Sequence, residues 1–252
     1  MSWPLVNTLG EGQLRATVLG EAQVDAREIY ENHVEEYDDL VRAEDADGNL
    51  LPALRSIADL DGASVVEVGA GTGRLTALML DAGAHVHATE VAAPMLELAR
   101  DKLGGNPRLR LSVADARSLP APDAEADLGI AGWVFGHLRH WLPEDWRTQI
   151  GDALDEMART VRPGGHLVVI ETLGTGRTEP QPPNADLAEY FRWMQSERGF
   201  VRHVIRTDYA FASVDDAARV LGFFFGPAKA ELVRANDWSR VPECTGIWSR
   251  RR

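Results

Sequence analysis

The chain has 252 residues, 44% of them hydrophobic, and its 26 Lys and Arg against 39 Asp and Glu give a formal charge of −13. That length suits one large α/β domain with a sizeable buried core, while the acidic excess repels phosphate backbones and anionic lipid surfaces, so neither nucleic acid nor a membrane is expected as a partner. The single cysteine, Cys244, rules out an internal disulfide or a multi-thiolate zinc site; it reads as a small residue packed in a strand, and no metal is expected.

The opening MSWPLVNTLGEGQLRA lacks the basic start and long apolar run of a secretory signal. No stretch reaches the roughly 18 apolar residues needed to span a bilayer, and a cytoplasmic protein is the expectation. Residues 1 to 20, with Pro4, Gly10, Gly12 and Gly20 and little periodicity, read as a loose leader. REIYENHVEEYDDLV then sets Ile29, Tyr30, His33, Val34, Tyr37, Leu40 and Val41 near one helical face with acids opposite, predicting an amphipathic helix in front of the core. EDADGNLL interrupts it, and LPALRSIADL resumes a helical pattern up to Asp61-Gly62.

From residue 63 short apolar runs alternate with helical patterns: ASVVEV, LTALMLDAG, HVHATE, PMLELARDKLG, LRLSVAD, ADLGIAGWV, WRTQIGDALDEMARTV and HLVVIETLG. Such alternation predicts a mainly parallel sheet covered on both faces, the doubly wound α/β class. RPGG, Arg162 to Gly165, reads as a turn between a helix and a strand. Beyond Gly174 the proline-rich GTGRTEPQPPN reads as a mobile rim loop, followed by a helix (ADLAEYFRWMQSERG), a strand (FVRHVIRTDYAF), a helix opened by Ser213, and a final strand in ECTGIWSRR.

VVEVGAGTGRLT, residues 65 to 76, is the stretch with the most chemistry. Its glycines, Gly69, Gly71 and Gly73, let backbone turn tightly and approach a ligand closely. A dinucleotide fingerprint requires glycine at position 74, where this chain carries Arg74. Instead an acid, Glu67, precedes the glycines; Glu90 follows Gly71 by 19 positions at the end of HVHAT, and Asp115 follows the third strand run. One such acid reads as an ordinary cap or surface residue, whereas three at successive strand ends read as a site.

Together these residues resemble the motifs of class I S-adenosylmethionine-dependent methyltransferases of the small-molecule type, over about residues 63 to 172. The resemblance implies a Rossmann-like, doubly wound sheet of seven mostly parallel strands with an antiparallel last strand. It implies S-adenosylmethionine as cofactor and S-adenosylhomocysteine as product. Glu67, Gly69, Ala70, Gly71, Gly73 and Arg74 would wrap the methionine and ribose part, with Glu67 near its cationic end. Glu90 would accept the ribose hydroxyls, Val91 and Met95 would pack on adenine, Asp115 and Ala116 would meet its amino edge, and Gly132 would close the set. Residues 1–60 would then be leader and lid helices, with Tyr30 and Tyr37 over the cofactor or in plain packing. Residues 61–252 would be the core, with acceptor-pocket elements around 174–240.

In GWVFGHLRHW, the loop expected after the fourth strand, His137 is a candidate general base or a packed aromatic-loop residue, and His140 is an exposed one. Trp133, Phe135 and Trp141, with Trp193 and Tyr209 further on, are candidate walls of an acceptor pocket or else core. The fourth motif departs from the N-P-P-Y type that marks nucleobase and amide N-methyltransferases. The expected function is methyl transfer to oxygen or nitrogen of a small, partly aromatic or apolar acceptor by a monomer or homodimer. Alternatives are a cofactor-binding protein of the same fold with a non-methylating reaction such as a cyclisation, an NAD-dependent oxidoreductase, disfavoured by Arg74 and the lack of a Tyr-Lys pair, and a non-catalytic interaction module.

Overall fold

Near-continuous buried runs in the central strands supply both faces of one central sheet. The computed structural model describes residues 26–252, so the leader expected over residues 1 to 20 lies outside the described residues. The sheet has seven strands, β1 (Ser64–Val68), β2 (His85–Glu90), β3 (Leu109–Val113), β4 (Ala126–Gly132), β5 (Val161–Thr175), β6 (Val201–Arg206) and β9 (Glu243–Arg251), in the order β3-β2-β1-β4-β5-β9-β6. Strands β1 to β5 pair in parallel and β9 runs antiparallel between β5 and β6, as expected for the doubly wound class with an antiparallel last strand. A two-residue ribbon, β7 (Tyr209–Ala210) with β8 (Arg240–Val241), stands beside it.

Period-two side-chain direction divides the core into two layers. Val65, Val86, Ile130, Val168 and Ile170 pack under α3 (Leu50–Ile57) and α4 (Arg74–Asp81), while Val66, Val68, Leu167 and Val169 pack under α7 (Trp146–Thr160) and α8 (Ala185–Ser196). Helix α5 (Ala93–Leu103) connects β2 to β3, and α6 (Phe135–Trp141) follows β4. A smaller cluster joins Leu40 to Tyr209, Val220, Leu221 and Val233, tying the front helix to α9 (Val214–Phe225) and α10 (Pro227–Ala235).

Three local expectations are corrected. The front amphipathic stretch is two helices, α1 (Ala26–Asn32) and α2 (Val34–Ala43), because His33 leaves helical geometry (φ −132°, ψ 44°) and its ring meets that of Phe223 at 5.3 Å. RPGG lies within β5 as a bulge: on β4, Ala126 pairs with Val161 and Leu128 already with His166. The strand expected across residues 200–211 divides into β6 and β7, and between them the carbonyls of Thr207 and Asp208 accept from Asp45 N at 3.1 Å and Ala46 N at 3.0 Å. Ser213 opens α9 as expected, accepting from Asp216 N at 3.1 Å, and Asn184, at the end of the expected loop, caps α8 by accepting from Leu187 N at 2.8 Å. Among the described residues no helix is long and apolar enough to cross a membrane.

Ile130 is fully buried in the middle strand. Ile130→Ala is expected to cost about 2–5 kcal/mol, read as a lower urea midpoint at unchanged slope; a loss below about 1 kcal/mol would contradict this placement.

Candidate functional site

Parallel strands end on one edge, and the three acids predicted from sequence all lie there. Glu67, the penultimate residue of β1, is 1% exposed and accepts from Thr76 Oγ1 at 2.6 Å. Burial, reinforced by the nearby Glu90 charge, pushes its carboxyl up to about 7. Glu90 ends β2 and pins the glycine loop: its Oε2 accepts from Gly71 N at 2.9 Å, and its Oε1 from Val91 N at 2.7 Å and Ala92 N at 2.9 Å. Burial still raises Glu90 despite these donors. A carboxylate offers about four acceptor sites, so one remains for a further donor. Asp115 accepts from Arg117 N and Nε, each at 2.8 Å, and the Arg117 hydrogen bond holds its carboxyl below the usual range.

Two cavities open over this edge. The smaller, about 350 Å³, is lined by Gly71, Glu90, Val91, Met95, Asp115 and Ala116, with Gln149 and Leu138 across from them. The larger, about 630 Å³, is lined by Glu67, Ala70, Thr72, Arg74, Glu44 and Glu171, with Leu187 and Phe224. Tyr30, Tyr37, Gly69, Gly132, Trp133, His137 and Trp141 border both. Backbone shape depends on the glycines here. Gly69 has φ +70°, and a Cβ on it would collide with Val134 Cγ2; Gly71 has φ +55° and faces Tyr37 and Met95.

Gly73 has a different role from the one expected. It lines neither cavity; its Cα faces Leu103 and Ala99, so it serves the packing of α4 against α5. Arg74, by contrast, borders the larger cavity, its guanidinium paired with Glu44 at 2.6 Å and lying 4.2 Å over the Trp133 ring. Trp133 takes a left-handed backbone (φ +56°) directly after β4, a costly conformation for a bulky residue that tends to gather at functional sites.

The expected loop after β4 is a helix, and this sorts its aromatic residues. Phe135 and Arg139, one turn apart, point inward, and Phe135 is fully buried in the core rather than walling a pocket. His137 and Trp141, also one turn apart, stack at 5.2 Å on the cavity side. His137 Nε2 lies 2.8 Å from Tyr30 Oη, which links α1 to α6 across the mouth. Trp193 and Tyr209 likewise leave the expected acceptor wall. Trp193 packs edge-on to Trp146 at 5.3 Å, and Tyr209 belongs to the cluster around Val220 and Leu221.

Sequence reasoning missed Glu44, Thr72, Gln149, Glu171 and Phe224. Glu171 had a readable signal, because it closes the apolar run HLVVIE as Glu90 closes HVHATE. It accepts from Gly136 N at 2.9 Å, and burial pushes it up to about 8. Glu44 had none, since its partner Arg74 lies 30 positions away.

These residues fit an adenosyl sulfonium. Thr72 Oγ1 is buried without a hydrogen-bond partner among the described residues and belongs to the wall of the larger cavity, an atom left for a ligand to satisfy. Glu67 and Glu90 have no ion-pair partner among the described residues, which suits a cationic ligand and repels a diphosphate.

Comparison with known proteins agrees. A family model described as a methyltransferase domain matches residues 66–169. An uncharacterized methyltransferase of Geobacillus kaustophilus (strain HTA426) is 32% identical over 145 residues, covering 58% of this chain and 62% of the relative. The demethylmenaquinone methyltransferase of Clavibacter sepedonicus is 34% identical over 117 residues, 46% of this chain and 44% of that one. The chain thus spans less than two thirds of the length of these curated relatives. The crystal structure of a SAM dependent methyltransferase from Aquifex aeolicus shares the fold at a TM-score of 0.54 and 18% identity, over 86% of this chain and 96% of that one. The chain thus carries a stretch that matches a methyltransferase domain over residues 66–169, on a sheet of this order.

Proposed function

We propose that the protein transfers the methyl group of S-adenosylmethionine to oxygen or nitrogen of a small, partly aromatic or apolar acceptor. The observation that carries this reading is the junction of the two cavities at Gly69, Trp133 and His137. One cavity suits adenosine, the other suits the methionine end and the acceptor, and a transferring methyl belongs where they meet. When bound, the cofactor supplies a methyl on sulfonium, an excellent leaving group, so the protein mainly aligns the reactants.

In this reading Glu90 takes one ribose hydroxyl at its remaining acceptor site, Val91 and Met95 flank adenine, Asp115 and the Ala116 backbone meet its amino edge, and Glu67 faces the ammonium with the Gly69–Gly71 backbone around it. Tyr30 and Tyr37, ring centroids 5.4 Å apart, cover the junction and exclude water. Trp133 and Trp141 supply the apolar wall of the acceptor site. His137 takes the acceptor's proton, its ring held by Trp141 stacking and the Tyr30 hydroxyl.

Calorimetric titration with S-adenosylmethionine and S-adenosylhomocysteine is expected to show saturable binding at tens of micromolar or tighter, roughly −6 kcal/mol or more favourable. Because Glu67 titrates at about 7 in the ligand-free protein and a cation favours its ionised form, affinity rises as pH increases. Between pH 6 and pH 8 the gain is about tenfold, and a flat profile would remove Glu67 from the ammonium. His137→Gln is expected to keep cofactor affinity while lowering single-turnover rate at least about tenfold. An unchanged rate assigns the residue to packing.

A further inference from the structure

The acceptor side of the larger cavity ends in a carboxyl that the cofactor does not answer. Gly132, the last residue of β4, pairs with Ile170, so Glu171 is the first β5 residue beyond that strand's tip. Its side chain is 4% exposed yet belongs to the cavity wall. Oε1 accepts from Gly136 N at 2.9 Å and is approached by Tyr190 Oη at 3.4 Å, and the Phe135 backbone N–H also faces the carboxyl, so among the described residues donors come only from the start of α6 and from Tyr190 and none is a cation. A Cβ at Gly136 would come within 3.0 Å of Oε2, so glycine at the start of α6 leaves that oxygen uncrowded.

Charge pairing sets Glu171 apart from its neighbours in the wall. Glu44 is matched by Arg74 at 2.6 Å and Asp186 by Arg139 at 2.7 Å. Glu67 and Glu171 have no cation within ion-pair distance among the described residues. Under the methyltransferase reading, on which this inference rests, the cationic end of the cofactor answers Glu67. Glu171 is left for the acceptor.

We propose that Glu171 binds a protonated amine carried by the acceptor and so selects amine-bearing small molecules. An ammonium reaching Oε2 makes a charge-assisted hydrogen bond in a site shielded from water. A neutral hydroxyl gains less, and a carboxylate finds no cation in the wall that is not already paired with an acid. Because burial holds the empty-site carboxyl up at about 8, it is mostly protonated at pH 7, and amine binding expels that proton.

The test uses the full chain saturated with S-adenosylhomocysteine and three matched probes, 2-phenylethylamine, 2-phenylethanol and phenylacetate, titrated at pH 7 in two buffers of different ionisation heat. The amine is expected to bind roughly tenfold or more tighter than the alcohol, with proton release, and the carboxylate weakest. Glu171→Gln, which keeps an oxygen for Gly136 N, is expected to bring the amine to the alcohol's affinity while S-adenosylhomocysteine affinity stays unchanged. An amine no tighter than the alcohol on the wild-type protein, absent binding by all three included, overturns the proposal, as does a preference that survives Glu171→Gln. Failure of S-adenosylhomocysteine itself to bind is a separate result that sinks the methyltransferase reading and this one with it.

Discussion

The carboxylate of Glu90 joins two strand tips that share no covalent connection shorter than a helix. With one oxygen it takes the N–H of Gly71, and with the other the N–H groups of Val91 and Ala92. Hydrogen bonds to a charged group contribute about 1.5–3 kcal/mol each, and here they hold the glycine loop in its left-handed turns while the β2 tip is held open. The junction of the two cavities sits on that loop. Were Glu90 unable to span β1 and β2, the bare backbone at Gly69 and Gly71 would have no fixed direction in which to face a ligand.

Burial makes this arrangement electrically costly, and the cost points to its use. Glu67, Glu90 and Glu171 all lie at the carboxyl edge of the sheet, and desolvation raises every one of them. A cation relieves that cost, because all three acids ionise more readily beside one. Arg74 does not relieve it, because its charge is committed to Glu44 and its guanidinium face to Trp133. That pair instead fixes Trp133, whose left-handed backbone needs support, at the boundary between the cavities.

Helices α1 and α6 close the mouth from opposite sides. The Tyr30–His137 hydrogen bond, the edge-on Tyr30–Tyr37 contact and the His137–Trp141 stack form a continuous aromatic path across it. Each contact alone is worth little, of the order of 1 kcal/mol. Contacts this weak come apart at low cost.

Features encoded over a few residues were readable before any coordinates. The alternation of strands and helices, the glycine spacing from Gly69 to Gly73, the failure of a dinucleotide fingerprint at Arg74, and acids at the ends of apolar runs each depend on local chain geometry, so the sheet and the cradle edge follow from the sequence by itself. What tertiary packing decided is how elements are rotated and what meets across large separations. A ten-residue aromatic stretch does not reveal which face of α6 turns inward, so Phe135 joined the core while His137 and Trp141 faced the cavity. Trp193 and Tyr209 carry the same apolar chemistry as a pocket wall, and only their neighbours assign them to packing. Glu44 meets Arg74, and Tyr30 meets His137 across 107 positions, because helices dock where their apolar faces match, and that match is a property of the folded surface rather than of either segment.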